Sequence, residues 1–306
     1  MKALQQVALS VGTVLVWSSG YVVGSVATRS MPPLAVTMWR FAVAAVLLAV
    51  VAVVRRERWP QPREALALLG VGVPMFAIQF GALYTAMAQG LSAGTTALIA
   101  CSSPLVVAAI GAVTGWERLR PSQWLGIGLG VVGVVVTLSD RVGRPPSVAS
   151  LLWALLGLAG LTVGTTLQSR VGTQVGATAA VAVQVAAGFA VLAVWAPLEG
   201  EVVLPLSASG LVSFAWLAVV AGMGAPLLLL ALVRGRGATA ASSHLYVVPA
   251  VTALAAWPML GTPLGTWTMA GLAIVLLALM LATGRLSLAP VNSSPLGYRD
   301  LEHHRT

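Results

Sequence analysis

The sequence predicts an all-α integral membrane protein with ten transmembrane helices arranged as two inverted five-helix repeats. The first observation is composition: of 306 residues, 58% are hydrophobic and 8% are charged, and the mean hydropathy is +0.93. Soluble domains carry about a quarter charged residues. The chain therefore has too few charged side chains to cover a water-facing surface. The other two observations are a series of apolar runs and an internal repeat.

Ten apolar runs of spanning length follow one another, separated by short polar segments. Each run is long enough to cross the hydrocarbon core, which takes about 20 residues. Lipid offers no water to backbone groups, so each run is expected to be a helix. The first run is expected to be a retained helix rather than a signal peptide, because of its length and the nine runs that follow. The predicted helices are 5–26, 34–54, 65–87, 91–114, 122–138, 148–169, 177–196, 209–232, 238–259 and 266–284.

The second half of the chain repeats features of the first half. A shift of 145 residues places Pro104 on Pro249 and Gly126 on Gly271. Five helices per repeat is an odd number, so the second repeat must enter the membrane in the opposite orientation. Inverted repeats are characteristic of secondary transporters, which bind substrate near the midplane between the halves. The predicted units are 1–145 and 146–285, followed by a disordered cytoplasmic tail, 286–306.

The distribution of basic residues predicts the orientation. If the N-terminus is cytoplasmic, thirteen of the 17 Lys and Arg residues lie on the cytoplasmic side, three lie outside, and Arg40 lies within a helix. Both termini are therefore expected in the cytoplasm, and the expected location is a bacterial cytoplasmic (inner) membrane. The net charge of +9 fits loops facing anionic lipid, and no nucleic-acid partner is expected.

Two stretches resemble EamA-domain transporters of the drug/metabolite transporter superfamily. These are "VWSSGYVVGSVATRSMPPLAVTMWRF" (16–41) and "SSPLVVAAIGAVTGWERLRPSQWLGIGLGVVGVVV" (102–136). The second copy departs at Thr262, where the family commonly has glutamate. The resemblance covers residues 5 to 284. It implies ten helices, export or exchange of small metabolites, often amino acids, and a cavity built from helices 1, 3 and 4 and their counterparts 6, 8 and 9. The motif residues expected to be structural are Glu117, Gly126 and Gly271.

Polar and aromatic side chains within the predicted helices are the candidates for a substrate cavity. Arg40 is costly in lipid unless it meets protein, water or a partner. It could cap carbonyl groups or pair with a substrate carboxylate, and the equivalent position in the second half lies near Gln184. Trp17 and Tyr21 share one helix face, which belongs either to the core or to a cavity wall. The full set of candidates is Trp17, Tyr21, Arg40, Gln79, Tyr84, Ser102, His244 and Tyr246.

His244 is the only histidine outside the C-terminal tail. It could form a hydrogen bond between helices, line the cavity or carry a proton. Pro104 and Pro249 each remove a helical hydrogen bond. They are interpreted as hinges for alternating access, with simple packing as the alternative.

These patterns favour a secondary transporter that exports small neutral or zwitterionic metabolites, such as amino acids, by alternating access. The predicted membrane interior has almost no fixed charge, and no P-loop is present to bind ATP. The predicted membrane-embedded part contains no acidic or histidine cluster that suggests a metal or an enzyme active site, so neither cofactor nor catalysis is expected. The pairing of Ser19 with His244 lacks the sequence context of a serine protease. The expected partners are a small-molecule substrate and the lipid bilayer, with monomer and homodimer both open. The alternative is a non-transporting scaffold or sensor.

Overall fold

A computed structural model describes residues 2–115, 119–139, 146–171, 175–203, 207–228, 231, 245–262 and 264–282. Glu117, His244 and the tail 286–306 lie outside the described residues. The expectations for these positions therefore remain predictions.

The described residues form helices and contain no strand, which confirms the predicted all-α membrane protein. Eight helices are long and apolar enough to cross a membrane, and two shorter apolar helices follow. The bounds are α1 Lys2–Ala27, α2 Pro33–Val54, α3 Pro62–Ala88, α4 Ala93–Val113, α5 Pro121–Leu138, α6 Val148–Arg170, α7 Ala177–Leu198, α8 Gly210–Leu228, α9 Val248–Leu260 and α10 Thr266–Ala282.

Helix α4 is interrupted at the proline that the sequence singled out. Its first segment, Ala93–Cys101, ends before Ser102, and the second, Ser103–Val113, carries Pro104 in its first turn. Helix α9 likewise carries Pro249 in its first turn, after the 3₁₀ turn Leu245–Val247. Proline fits the first turn because its missing N–H has no helical acceptor there. The expectation that each proline removes a hydrogen bond from within a helix was therefore wrong at these two positions.

The helices pack in pairs that are consistent with exchange of the two halves of the chain. Helix α2 packs on α7, α4 on α9 and α5 on α10. Helix α3 packs on α6, and α8 packs on α1. Each helix of the first half therefore contacts a partner from the second half.

The two motif glycines lie at one helix crossing. A Cβ atom on Gly126 would lie 2.6 Å from the amide nitrogen of Ala282, so α5 approaches the backbone of α10 there. A Cβ atom on Gly271 would collide with the side chain of Thr137. Gln123 also joins these helices, donating from Nε2 to the Ala282 carbonyl at 3.0 Å. The structural role expected of these glycines corresponds to close packing of small residues between membrane helices.

Two glutamates join α2 and α7 at opposite ends of the pair. Glu57, after the end of α2, accepts hydrogen bonds from the backbone amides of Thr178 (2.8 Å) and Ala179 (3.0 Å) at the start of α7. Glu201, after the end of α7, accepts one from the amide of Leu34 at the start of α2, at 2.7 Å. A carboxylate at a helix N-terminus satisfies free amides and favours the helix dipole. The loop after α2 thus caps the start of α7, and the loop after α7 caps the start of α2.

Candidate functional site

A cavity of about 580 Å³ lies between α1, α2, α3, α6, α7 and α8. Its wall is mostly apolar and aromatic. The aromatic lining residues are Trp17, Tyr21, Phe41, Phe76, Phe80 and Tyr84, and the other hydrogen-bonding groups are Arg40, Gln79, Gln168 and Gln184. A concave, largely apolar site with a few polar groups is the usual form of a small-molecule site.

Arg40 is buried in this wall, with 2% of its surface exposed. Its guanidinium carbon lies 4.5 Å from the ring centre of Phe41, 4.4 Å from that of Phe80 and 4.8 Å from that of Tyr84. Aromatic rings attract a cation through their quadrupoles, more strongly when water is excluded. The three rings therefore stabilise a charge that lipid alone would disfavour.

Tyr84 links Arg40 to α1. Its hydroxyl accepts a hydrogen bond from Arg40 Nη1 at 2.5 Å and donates one to the Gly20 carbonyl at 3.0 Å. The ring lies against Gly24, where an added Cβ atom would come within 2.7 Å of it. Glycine at this position lets the large ring enter between α1 and α3, so the phenol joins three helices around Arg40.

Neutral amides occupy the part of the wall formed by α6 and α7. Gln184 donates from Nε2 to Oε1 of Gln168 at 2.5 Å. This bond leaves the Gln184 oxygen as an acceptor and the Gln168 nitrogen as a donor. Gln79, on α3, also lines the cavity. These groups can form hydrogen bonds with a solute without adding charge.

The helices α3 and α8 both contain π-helical turns at the cavity. The first, Val73–Ile78, contains Pro74, and the second is Trp216–Gly224. Lining residues come from both segments, Met75 and Phe76 from the first and Ala221 and Gly222 from the second. Irregular helix turns of this kind are frequent at functional sites.

The structure brings five of the predicted candidates together: Trp17, Tyr21, Arg40, Gln79 and Tyr84 line one cavity. Ser102 and Tyr246 lie outside its lining. The Ser102 hydroxyl donates to the Leu98 carbonyl at 2.9 Å, and Tyr246 packs against an apolar cluster that includes Leu98.

The cavity also draws on different helices from those the resemblance implied. Helices α2 and α7 contribute lining residues, whereas none of the described residues that line the cavity belongs to α4 or α9. Helices α4 and α9 pack against each other and against α1.

The phenylalanines of the wall were not among the sequence candidates. A signal for two of them exists, because Phe76, Phe80 and Tyr84 are spaced four residues apart and so share one face of α3. Their rings form a row, with Phe76 stacked on Phe80 at 6.4 Å and Phe80 edge-on to Tyr84 at 6.2 Å.

Comparisons with known proteins extend along almost the whole chain. The uncharacterized inner membrane transporter YedA of Escherichia coli (strain K12) is 28% identical over 276 residues, covering 88% of this chain and 87% of that protein. A probable amino-acid metabolite efflux pump of the same strain is 33% identical over 134 residues, 44% of this chain and 43% of that protein. A solved crystal structure matches with a TM-score of 0.64, covering 92% of this chain and 97% of that chain at 17% sequence identity, which shows the fold alone.

The model of the EamA-like transporter family matches this chain twice, at residues 5–139 and at residues 148–284. Both matches fall on the helices that surround the cavity. Together they span nearly all of the chain, and this protein therefore belongs to the EamA-like transporter family.

Proposed function

We propose that this protein is a secondary transporter that exports small neutral or zwitterionic metabolites, amino acids among them, by alternating access. The observation that carries the proposal is the aromatic cavity within the helix bundle, lined by helices from both halves of the chain. Its volume of about 580 Å³ falls within the range of small-molecule sites. The partial match to a probable amino-acid metabolite efflux pump supports the substrate class.

In alternating access, the two halves of a transporter move relative to each other around the substrate site. The contacts of two glutamates support an inverted repeat with units 1–145 and 146–285. Glu57 caps α7 and Glu201 caps α2, and these two glutamates are 144 residues apart in the sequence. The amides that they cap, on Thr178 and Leu34, are also 144 residues apart. A two-fold relation between the halves accounts for both contacts at once.

We further propose a bacterial inner-membrane location with both termini in the cytoplasm. The location follows that of the YedA relative, an inner membrane transporter by name, and the orientation follows from the distribution of Lys and Arg. In this orientation Glu57 is cytoplasmic and Glu201 faces outward.

The driving force proposed is the gradient of the substrate itself, with proton exchange as the second candidate. The second candidate rests on His244, the only histidine outside the tail. If transport depends on pH and this dependence survives in His244→Ala, the histidine is not the coupling group.

A metabolite export profile tests the proposed function. Cells with and without the gene are compared by mass spectrometry of the medium, together with their resistance to toxic amino-acid analogues. We expect a small set of neutral or zwitterionic metabolites to appear outside only when the gene is present. The purified full chain in vesicles should then carry the same compounds, and vesicles without protein are the control. Absence of flux for every compound would leave a scaffold or sensor as the function.

A further inference from the structure

Arg40 gives the cavity a fixed positive charge that the described residues do not balance. The described acidic side chains lie at helix ends or in loops: Glu57, Glu64, Glu199 and Glu201. None of them lines the cavity. The rings around the guanidinium carry no net charge, so they lower the cost of burying the cation without cancelling its field. Inside a low-dielectric wall that field acts strongly on a bound solute.

The Arg40 guanidinium also has one unsatisfied hydrogen-bond donor among the described residues. Its Nη1 atom donates to Tyr84, but Nε is buried and has no hydrogen-bond partner among the described residues. An unsatisfied buried donor costs free energy that a suitable acceptor recovers. The Nε edge of an arginine fits a carboxylate through two parallel hydrogen bonds. Because Nε lies below the cavity surface, this pairing requires a side-chain adjustment when the solute enters.

The position equivalent to Arg40 in the other half carries no charge. Gln184 stands 144 residues later, and its free carbonyl oxygen can accept a hydrogen bond from an ammonium group. The cavity thus offers a cation on α2, a neutral acceptor on α7, and an apolar wall that includes Trp17 and Tyr21. A zwitterion with an apolar body matches all three features.

Building on the proposed function, we propose that Arg40 selects solutes that bear a carboxylate and rejects those in which the carboxylate is replaced by a neutral group. Arg40 is then the residue that determines charge specificity, while the side-chain carbonyl oxygen of Gln184 receives the ammonium end. The substrate class is that of α-amino acids with apolar side chains.

The test compares each amino acid with its own C-terminal amide. The full chain is reconstituted in vesicles, and uptake of the proteinogenic amino acids and of their amides is measured by mass spectrometry in mildly acidic buffer, where the amides are mainly cations. We expect wild-type protein to carry at least one apolar amino acid about tenfold faster than its amide. Arg40→Gln should lose this preference, and Arg40→Lys should keep part of it because the charge remains.

Gln184→Met is the matched control, since it removes a polar group at the equivalent position without changing the charge. An amino acid and its amide both carry the ammonium group, so this variant should slow both and leave their ratio unchanged. A purely structural role for Arg40 predicts the same unchanged ratio for Arg40→Gln, which would overturn the proposal. Thermal unfolding of each variant shows whether it folds.

The wild-type protein alone can overturn the proposal, even if Arg40→Gln does not fold. Equal uptake of amino acids and their amides would refute the role of Arg40 and leave the transport function standing. No uptake of any probe, together with an empty export profile, would refute both.

Discussion

A single buried arginine shows how a membrane protein can hold a charge with no acidic partner among the described residues. Arg40 relies on three aromatic rings and on one phenol hydroxyl. The rings supply attraction spread over a large surface, and the hydroxyl supplies one directed hydrogen bond. The hydroxyl thus fixes the position of the guanidinium, while the rings stabilise its charge. Substitutions can therefore separate the two contributions to stability.

Tyr84→Phe removes the hydroxyl and keeps the ring. We expect the free energy of unfolding to fall by about 1.5–3 kcal/mol, because a hydrogen bond to a charged group is lost inside the bundle. Thermal unfolding in detergent measures the change. Thr85→Val is the control, because the Thr85 hydroxyl bonds only within its own helix, to the Gly81 carbonyl at 2.8 Å. Equal effects of the two substitutions would contradict the link through Tyr84.

At the scale of helices, α2 and α7 act as one unit because each is capped by the loop after the other. Glu57 receives three hydrogen bonds, from the amides of Thr178 and Ala179 and from the Thr178 hydroxyl. The close fit extends to Gly176, where an added Cβ atom would collide with the Glu57 side chain. The N-terminus of α7 is therefore shaped around this carboxylate.

Glu57→Ala should destabilise the protein by about 1–2 kcal/mol, the cost of losing a helix cap. Arg55→Ala, in the same exposed loop, should change stability by less than about 0.5 kcal/mol. Chemical or thermal unfolding of the two variants checks the difference. If Glu57→Ala is as stable as Arg55→Ala, the cap does not contribute to stability.

Glu201 adds a dependence on pH. Burial raises the pKa of its carboxyl above the ordinary value of 4.5; the hydrogen bond from the Leu34 amide acts in the opposite direction, and the charge of Glu199 adds to the increase. The folded protein then holds this proton more tightly than the unfolded chain does. The resulting stabilisation is complete below the unfolded pKa and is lost as the pH rises through the folded pKa.

The corresponding prediction compares wild-type protein with Glu201→Gln, which keeps an oxygen to accept from Leu34. As the pH rises from below 4.5 through the folded pKa, wild-type protein should lose thermal stability relative to the variant. The effect should be small because the side chain is only partly buried. A wild-type advantage that grows with pH would contradict the expected direction.

The crossing of α5 and α10 offers a test with a control in the same helix. Gly126→Ala places a methyl group against the backbone of Ala282 and should destabilise by about 1–3 kcal/mol. Gly128→Ala meets nothing within 4 Å and should be neutral or stabilising, since alanine favours helix. Unfolding midpoints of the two variants give the comparison, and similar midpoints would show that the crossing tolerates a wider spacing.

At the scale of the whole molecule, the proposed orientation can be tested with single cysteines. Cys101 is the only native cysteine and is replaced by serine. A membrane-impermeant maleimide should label Glu199→Cys in intact cells, and should label Arg55→Cys only after the cells are opened. Both positions are exposed in the structure. The reverse pattern would place the termini outside.

The sequence predicted the helices and part of the cavity for one physical reason. Polar groups in a membrane stand out against apolar neighbours, so Arg40, Gln79 and Tyr84 could be recognised as facing the interior of the protein. Phe41 and Phe80 are apolar residues among apolar residues, and only the packed helices reveal that they surround the arginine. The role of α4 and α9 was transferred from a resemblance, and among the described residues neither helix contributes to the cavity lining.

The glutamate caps are a second feature that could not be predicted from the sequence. Glu57 and Glu201 appeared in the sequence as ordinary loop charges, because their partners lie 121 and 167 residues away. A helix cap is usually recognised by a short, fixed spacing. A cap supplied by a distant loop has no such signature, and it becomes visible only when the fold brings the two segments together.

The π-helical turn Val73–Ile78 has a consequence for how the cavity can change. A π turn holds an additional residue, and one residue corresponds to about 100° of rotation around a helix axis. Gln79 and Tyr84 follow this turn, so the inserted residue sets the direction of both side chains relative to the N-terminal part of α3. Deletion of one residue there would rotate both away from the cavity while leaving hydropathy and span length nearly unchanged. In this helix a single deletion would therefore change the lining of the cavity without any substitution of a lining residue.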